Sequence, residues 1–207
     1  AGLEDVTSTE IYLDWSNCPY HTGADEKAGW TKYVTSDHLY FWSLPGIPDD
    51  NTVLDPEDDI AHMTLGDKWR MPTDAQWTEL RENCTWTWTD DYNGTGVAGK
   101  IAISNVPGYT DKSIFLPAAG FREEASLIST GSNGCYWSST LHEGPNSHIA
   151  YYLILYSTGS KRMSGARFSG LSVRPVYVGN ETVKVSGVSL NPTKLSLNIG
   201  ETATLDA

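Results

Sequence analysis

Trp69-Arg70-Met71-Pro72-Thr73-Asp74-Ala75-Gln76-Trp77-Thr78-Glu79-Leu80-Arg81 is the stretch from which the fold reads outward. Pro72 disfavours helical backbone just before it, and Thr73 with Gln76 three residues later forms a capping box. A helix therefore starts here, and the spacing of Trp77, Leu80 and Cys84 places them on one face. Directly behind it, Thr85-Trp86-Thr87-Trp88-Thr89 alternates strictly, a strand with both tryptophans on one side. Asp90-Asp91-Tyr92-Asn93-Gly94 reads as a turn. Residues 97–106 and Ile114-Phe115-Leu116-Pro117 read as two more strands.

Further along, Gly134 to Thr140 reads as a short strand and Ala150 to Tyr156, apolar on both faces, as a central one. Leu171 to Val176 is the last strand, with Pro175 marking an edge or the end of a ladder. The polar stretches 141–149 and 157–170 read as loops, where binding residues are commonly carried. Toward the N-terminus, Glu10 to Trp15 and His38 to Leu44 read as strands, the second closed by Pro45-Gly46. Asp49 to Asp59 then holds six of the 26 acidic residues. Asp55 as N-cap with Pro56 at the first helical position makes this a helix start. The density of carboxylates at Asp55, Glu57, Asp58 and Asp59 also suits calcium. Ile60, however, stands where a calcium loop beginning at Asp55 needs glycine, which favours the helix start.

The 207 residues carry 26 Asp and Glu against 14 Lys and Arg, net −12, with eight tryptophans and eleven tyrosines. So aromatic a chain is folded rather than an acidic disordered segment. The charge speaks against nucleic-acid binding, which needs clustered Lys and Arg. The acidity is uneven: residues 1–91 hold 19 acids and 5 bases, net −14, and residues 92–207 hold 7 acids and 9 bases, net +2. With no run of about 18 apolar residues, no membrane insertion is expected in this chain. Nor do the first residues, Ala-Gly-Leu-Glu-Asp, lead from a basic region into an apolar run, so no signal peptide is expected within them. Cys18, Cys84 and Cys135 allow one bridge or three free thiols, without the spacing of a zinc or redox site.

Several motifs in order resemble one family: Gly66-x-x-Trp69-Arg70-Met71-Pro72-Thr73 with Trp77-x-x-Leu80, then Ile114 to Arg122, Tyr136-Trp137-Ser138-Ser139, and Ser172-Val173-Arg174-Pro175-Val176. Together they resemble the Fibrobacter major paralogous domain (FISUMP) family, over roughly residues 50 to 178. Leu54 to His62 and Asn83 to Trp88 resemble its form in gut Bacteroidetes. The resemblance implies an α+β, C-type-lectin-like fold, related to formylglycine-generating enzymes: two helices flanking a small twisted antiparallel sheet with long loops. It implies structural roles for Trp69, Pro72, Trp77, Trp137 and Arg174, the last as a buried arginine–carboxylate pair. The domain spans 1–178. Residues 179–207 resemble a linker and the opening strands of a group-2 bacterial Ig-like domain, which implies a further Ig-like domain downstream.

The same resemblance bears on function. Formylglycine-generating enzymes use cysteine pairs late in the fold, and no cysteine follows Cys135. Neither a Gly-x-Ser-x-Gly elbow nor a His-Glu-x-x-His helix occurs, so no enzyme is expected. Calcium-dependent lectins of this fold carry Glu-Pro-Asn and a later Trp-Asn-Asp; here Glu143-Gly144-Pro145-Asn146 is offset by one, and Trp-Asn-Asp is absent. No cofactor is expected, apart from the calcium option above. Related variable proteins diversify this region to change ligand. That implies a ligand face of Trp137, Leu141, His142, Glu143, Asn146, His148, Lys161, Arg162, Arg167 and Phe168. The expected function is a secreted or cell-surface, adhesin-like module for a glycan or a surface protein. The alternative is a purely structural domain of a multi-domain surface protein.

Overall fold

A computed structural model of the chain describes residues 20, 30–37, 48–123 and 126–179. The strands expected at 10–15 and 38–44, Cys18, and the Ig-like reading of the tail lie outside these residues.

The acidic stretch does begin helical structure, in two separate pieces. Pro56–Asp58 forms a single 3-10 turn, and helix α1 spans Ile60–Leu65. Asp55 holds the N-cap position of the 3-10 turn with Pro56 first in it, as expected but without a side-chain bond, and Asp59 caps α1, accepting from the backbone N–H of Ala61 at 2.8 Å and His62 at 3.2 Å. Its other oxygen accepts from Met71 N–H at 2.8 Å, tying α1 to the two-residue strand β1 (Trp69–Arg70) and the turn after it. Helix α2 spans Asp74–Glu82 with both bonds of the Thr73–Gln76 capping box formed. Asn83 ends it, so Cys84 opens the next strand and does not share the helical face of Trp77 and Leu80.

The strand ladders are all antiparallel, with isolated parallel bridges at Gly120–Gly134 and Tyr136–Ser172, making the fold α+β with sheet predominant. β2 (Cys84–Thr89), β3 (Gly99–Ser104) and β4 (Ser113–Pro117) form one sheet in that order. A second three-stranded sheet joins β7 (Asn133–Leu141), β8 (Ile149–Tyr156) and β9 (Gly159–Ala166), with β8 central as expected. β5 (Phe121–Glu123) and β6 (Ser126–Ile128) make a hairpin, and β10 (Val176–Tyr177) pairs with β1. Among the described residues there are thus four small sheets, where one was expected.

Two other expectations are corrected. Residues 157–170 are a loop only at their ends: after the turn at Ser157 and Thr158 the chain returns as β9, in register with β8 along its whole length, and turns again at Arg167 and Phe168. Residues 171–175 form no strand, and only Ser172 bridges Tyr136. Pro175 has no N–H to give to a ladder. Arg174 is exposed and makes no carboxylate pair among the described residues. The core gathers Trp77 from α2, Leu116 from β4, Tyr136 from β7, and Leu153 and Leu155 from β8. Each such buried side chain contributes about 1.5–3 kcal/mol. The polar tips are satisfied: Trp77 Nε1–H donates to Trp137 C=O at 3.1 Å, and Tyr136 O–H to Pro117 C=O at 2.6 Å.

Candidate binding face

Strand register divides the ten expected residues. Trp137 sits opposite Tyr152 and Leu141 opposite Ala150. Four steps on β7 therefore match two on β8, and Ser138, Ser139 and Thr140 bulge out to meet other partners. Leu54 N–H donates to Ser139 C=O at 3.0 Å, and Ser139 N–H to Pro72 C=O at 2.9 Å. Lys161 lies opposite Ile154, on the Trp137 side, but Arg162 lies opposite Leu153, on the other. Successive strand residues point to opposite faces, so a single ligand face cannot hold all ten.

On the first side, Trp137, Leu141 and Arg167 line a cavity of about 200 Å³ together with Tyr20, Tyr33, Val53, Asp58 and Met71. Trp137 is held by its Nε1–H to Ser169 C=O at 3.1 Å and edge-on against Tyr152 at 5.7 Å. Lys161 is apart from this cavity, 6.0 Å over the Tyr156 ring. Arg167 works as an internal clamp. Its guanidinium stacks 4.0 Å over Trp30 and donates to the carbonyls of Ser147 at 3.0 Å, Tyr33 at 3.3 Å and Lys32 at 3.4 Å. Asn146 and His148 use their backbone carbonyls to hold the loop, accepting from Ile149 and Arg167, and Phe168 is half-buried beyond β9.

On the other side, His142, Glu143 and Arg162 converge on buried Tyr151. The His142 ring lies 4.9 Å from it and the Arg162 guanidinium 3.6 Å, while its hydroxyl accepts from Glu143 N–H at 3.3 Å. Arg162 Nε also pairs with Asp74 at 2.9 Å, and its Nη2 approaches Glu143 at 4.0 Å. Tyr151 and Asp74 were missing from the expected set. Alternation along β8 puts Tyr151 on the Leu153 side, but nothing local links Asp74 to a residue 88 positions away.

No family model, curated protein or solved structure matches this chain.

The acidic cluster next to the cavity is filled from within. Asp55, Glu57 and Asp58 bring carboxylate oxygens within 4.8 Å of one another. Lys32 Nζ lies among them, 2.8 Å from Asp55, 3.6 Å from Glu57 and 2.5 Å from Asp58. The hydroxyls of Tyr20 and Tyr33 also donate to Asp58. Burial pushes the Asp58 carboxyl up, but the bonds from Lys32, Tyr20 and Tyr33 outweigh it and hold it below its ordinary value. Burial, followed by the Asp58 bond, pushes the Tyr33 phenol up to about 12. Calcium takes six to eight oxygens, so it would have to displace Lys32 and recruit ligands beyond these three carboxylates. Asp59 drops out of the set, because both its oxygens are spent on backbone N–H groups. Cys84 and Cys135 are free thiols, and burial pushes Cys135 up to about 11, far from a reactive thiolate.

Proposed function

We propose that this chain is a bacterial secreted or cell-surface binding module with a C-type-lectin-like fold. It takes one ring of a glycan, or one protruding side chain of a surface protein, in the cavity beside Trp137, and performs no catalysis. The supporting observation is the cavity itself: about 200 Å³, lined by Tyr20, Tyr33 and Trp137 together with Asp58. Aromatic faces with a few polar groups are what sugar rings and apolar side chains dock against. That volume is below the range that encloses a drug-sized ligand, hence a single ring or side chain. The cluster around Tyr151 lies across the sheet and would contact a different part of a large partner.

One observation favours a structural domain instead: Arg167 and Lys32 spend their donors inside the chain. Glycan and protein arrays probed with wild type and Val53→Trp decide between the two. Val53 is 43 % exposed on the cavity wall, so tryptophan there obstructs the mouth without disturbing the core. A ligand bound by wild type and lost in Val53→Trp at unchanged Tm supports the binding module. No ligand, or equal binding by both, supports the structural domain.

A further inference from the structure

A second concavity shares no residue with the first. It is a groove of about 470 Å³ between α2 and the β2–β3–β4 sheet, lined also by residues 174–176. Trp77 and Leu80 line it from the helix, Ala102 and Ile114 from the sheet, and Pro175 and Val176 from the segment after Arg174. Cys84, Ala102 and Ile114 come to one side through the alternation of their strands: Trp86 pairs with Ala102, which pairs with Ile114, and Cys84 is two residues before Trp86.

The rim is asymmetric in charge. Glu79, Lys112 and Arg174 stand on it. Lys112 is tied to its neighbour Asp111 at 2.5 Å. Arg174 is exposed, and among the described residues it makes no ion pair or hydrogen bond. A guanidinium has five donors in a planar fork suited to a carboxylate. The groove's volume lies within the usual range for small-ligand sites.

We propose that this groove binds a small amphipathic carboxylate, its apolar body against Trp77, Leu80 and Ile114 and its acid group on Arg174. This site is independent of the cavity beside Trp137. An apolar lining whose one cation outside an ion pair is Arg174 discriminates by charge there and by shape along the rest.

Calorimetric titration of the full chain with 4-phenylbutyrate and with neutral 4-phenylbutanol tests this. The acid binds about tenfold more tightly than the alcohol, the scale of one charge-assisted pair. Arg174→Gln abolishes that preference while leaving the alcohol's affinity and the Tm unchanged, because Arg174 is exposed and makes no ion pair or hydrogen bond among the described residues. Bound acid also slows alkylation of Cys84 by N-ethylmaleimide, read by peptide mass spectrometry, since the Cys84 thiol lines the groove. The proposal is overturned by no binding of either compound at millimolar concentration, or by equal affinities in wild type. A preference that survives Arg174→Gln, or binding that leaves Cys84 alkylation unchanged, also overturns it.

Discussion

Replacing Asp59 separates a calcium ligand from a structural carboxylate. The side chain is 1 % exposed and accepts three backbone N–H bonds, from Ala61 at 2.8 Å, His62 at 3.2 Å and Met71 at 2.8 Å. Among the described residues no cation pairs with it, so its stabilisation comes from those bonds. Bonds to a charged acceptor contribute about 1.5–3 kcal/mol each, and buried donors left bare cost about 1–3 kcal/mol. Three bonds sharing one carboxylate do not add in full. Asp59→Ala should therefore destabilise by about 3–5 kcal/mol, a third or more of typical domain stability. At 2–4 °C per kcal/mol, Tm should fall by roughly 10 °C. Asp59→Asn keeps one oxygen for Ala61 and His62 but turns an amide NH₂ toward Met71 N–H, and should cost about 2 kcal/mol. Urea unfolding followed by tryptophan fluorescence, in EDTA and again in millimolar calcium, gives both numbers. If Asp59→Ala stays within 0.5 kcal/mol of wild type in EDTA, or its cost emerges only with calcium, the backbone-anchor argument is wrong.

Thr73→Ala removes one bond of the α2 capping box and should cost about 1 kcal/mol in urea unfolding, whereas Thr73→Ser should be near neutral. The two arginines near the expected face should behave differently. Arg162→Gln breaks a pair that is 40 % exposed and should shift stability by less than 1 kcal/mol, whereas Arg167→Gln frees three carbonyls and Trp30 and should cost about 2 kcal/mol or more. The Asp58 cluster sets a pH window. A carboxyl held below its ordinary 3.8 contributes stability that is complete above that value and lost as pH falls through the depressed one. Tyr33, raised to about 12 from 10.0, contributes stability that is present below pH 10 and lost as pH rises toward 12. Urea midpoints measured from pH 6 downward should fall less steeply for Asp58→Asn than for wild type, and an identical slope would remove Asp58 from the account.

The sequence by itself determined whatever is decided within a few residues. Thr73, Gln76 and Pro72 set where α2 begins, since capping is a contact across three residues. Strict Thr–Trp alternation set β2, and apolar residues on both faces set β8 as central, because a strand's period shows which sides are buried. The helical start at Pro56 behind Asp55 was legible, but the break at Asp59 was not: its carboxylate caps a second helix and also holds the Met71 backbone, a partner that no local spacing shows. β9 was illegible for a similar reason. Gly159-Ser160-Lys161-Arg162 has the composition of a loop, and it becomes a strand because β8 offers a complete row of backbone partners.

Three of the expected site residues reach the cavity and three others gather at Tyr151, so types and neighbourhoods were legible while sides were not. A bulge that sets four residues of β7 against two of β8 is a property of the pair, and it decides what faces what. The clamps belong to tertiary structure alone: Lys32 among Asp55, Glu57 and Asp58, Arg167 on Trp30, and Arg162 on Asp74. Each joins residues more than 20 positions apart, and no local spacing encodes such contacts. They form only once burial and strand pairing have closed the intervening chain, so whether a charge is spent internally or left for a ligand is settled there.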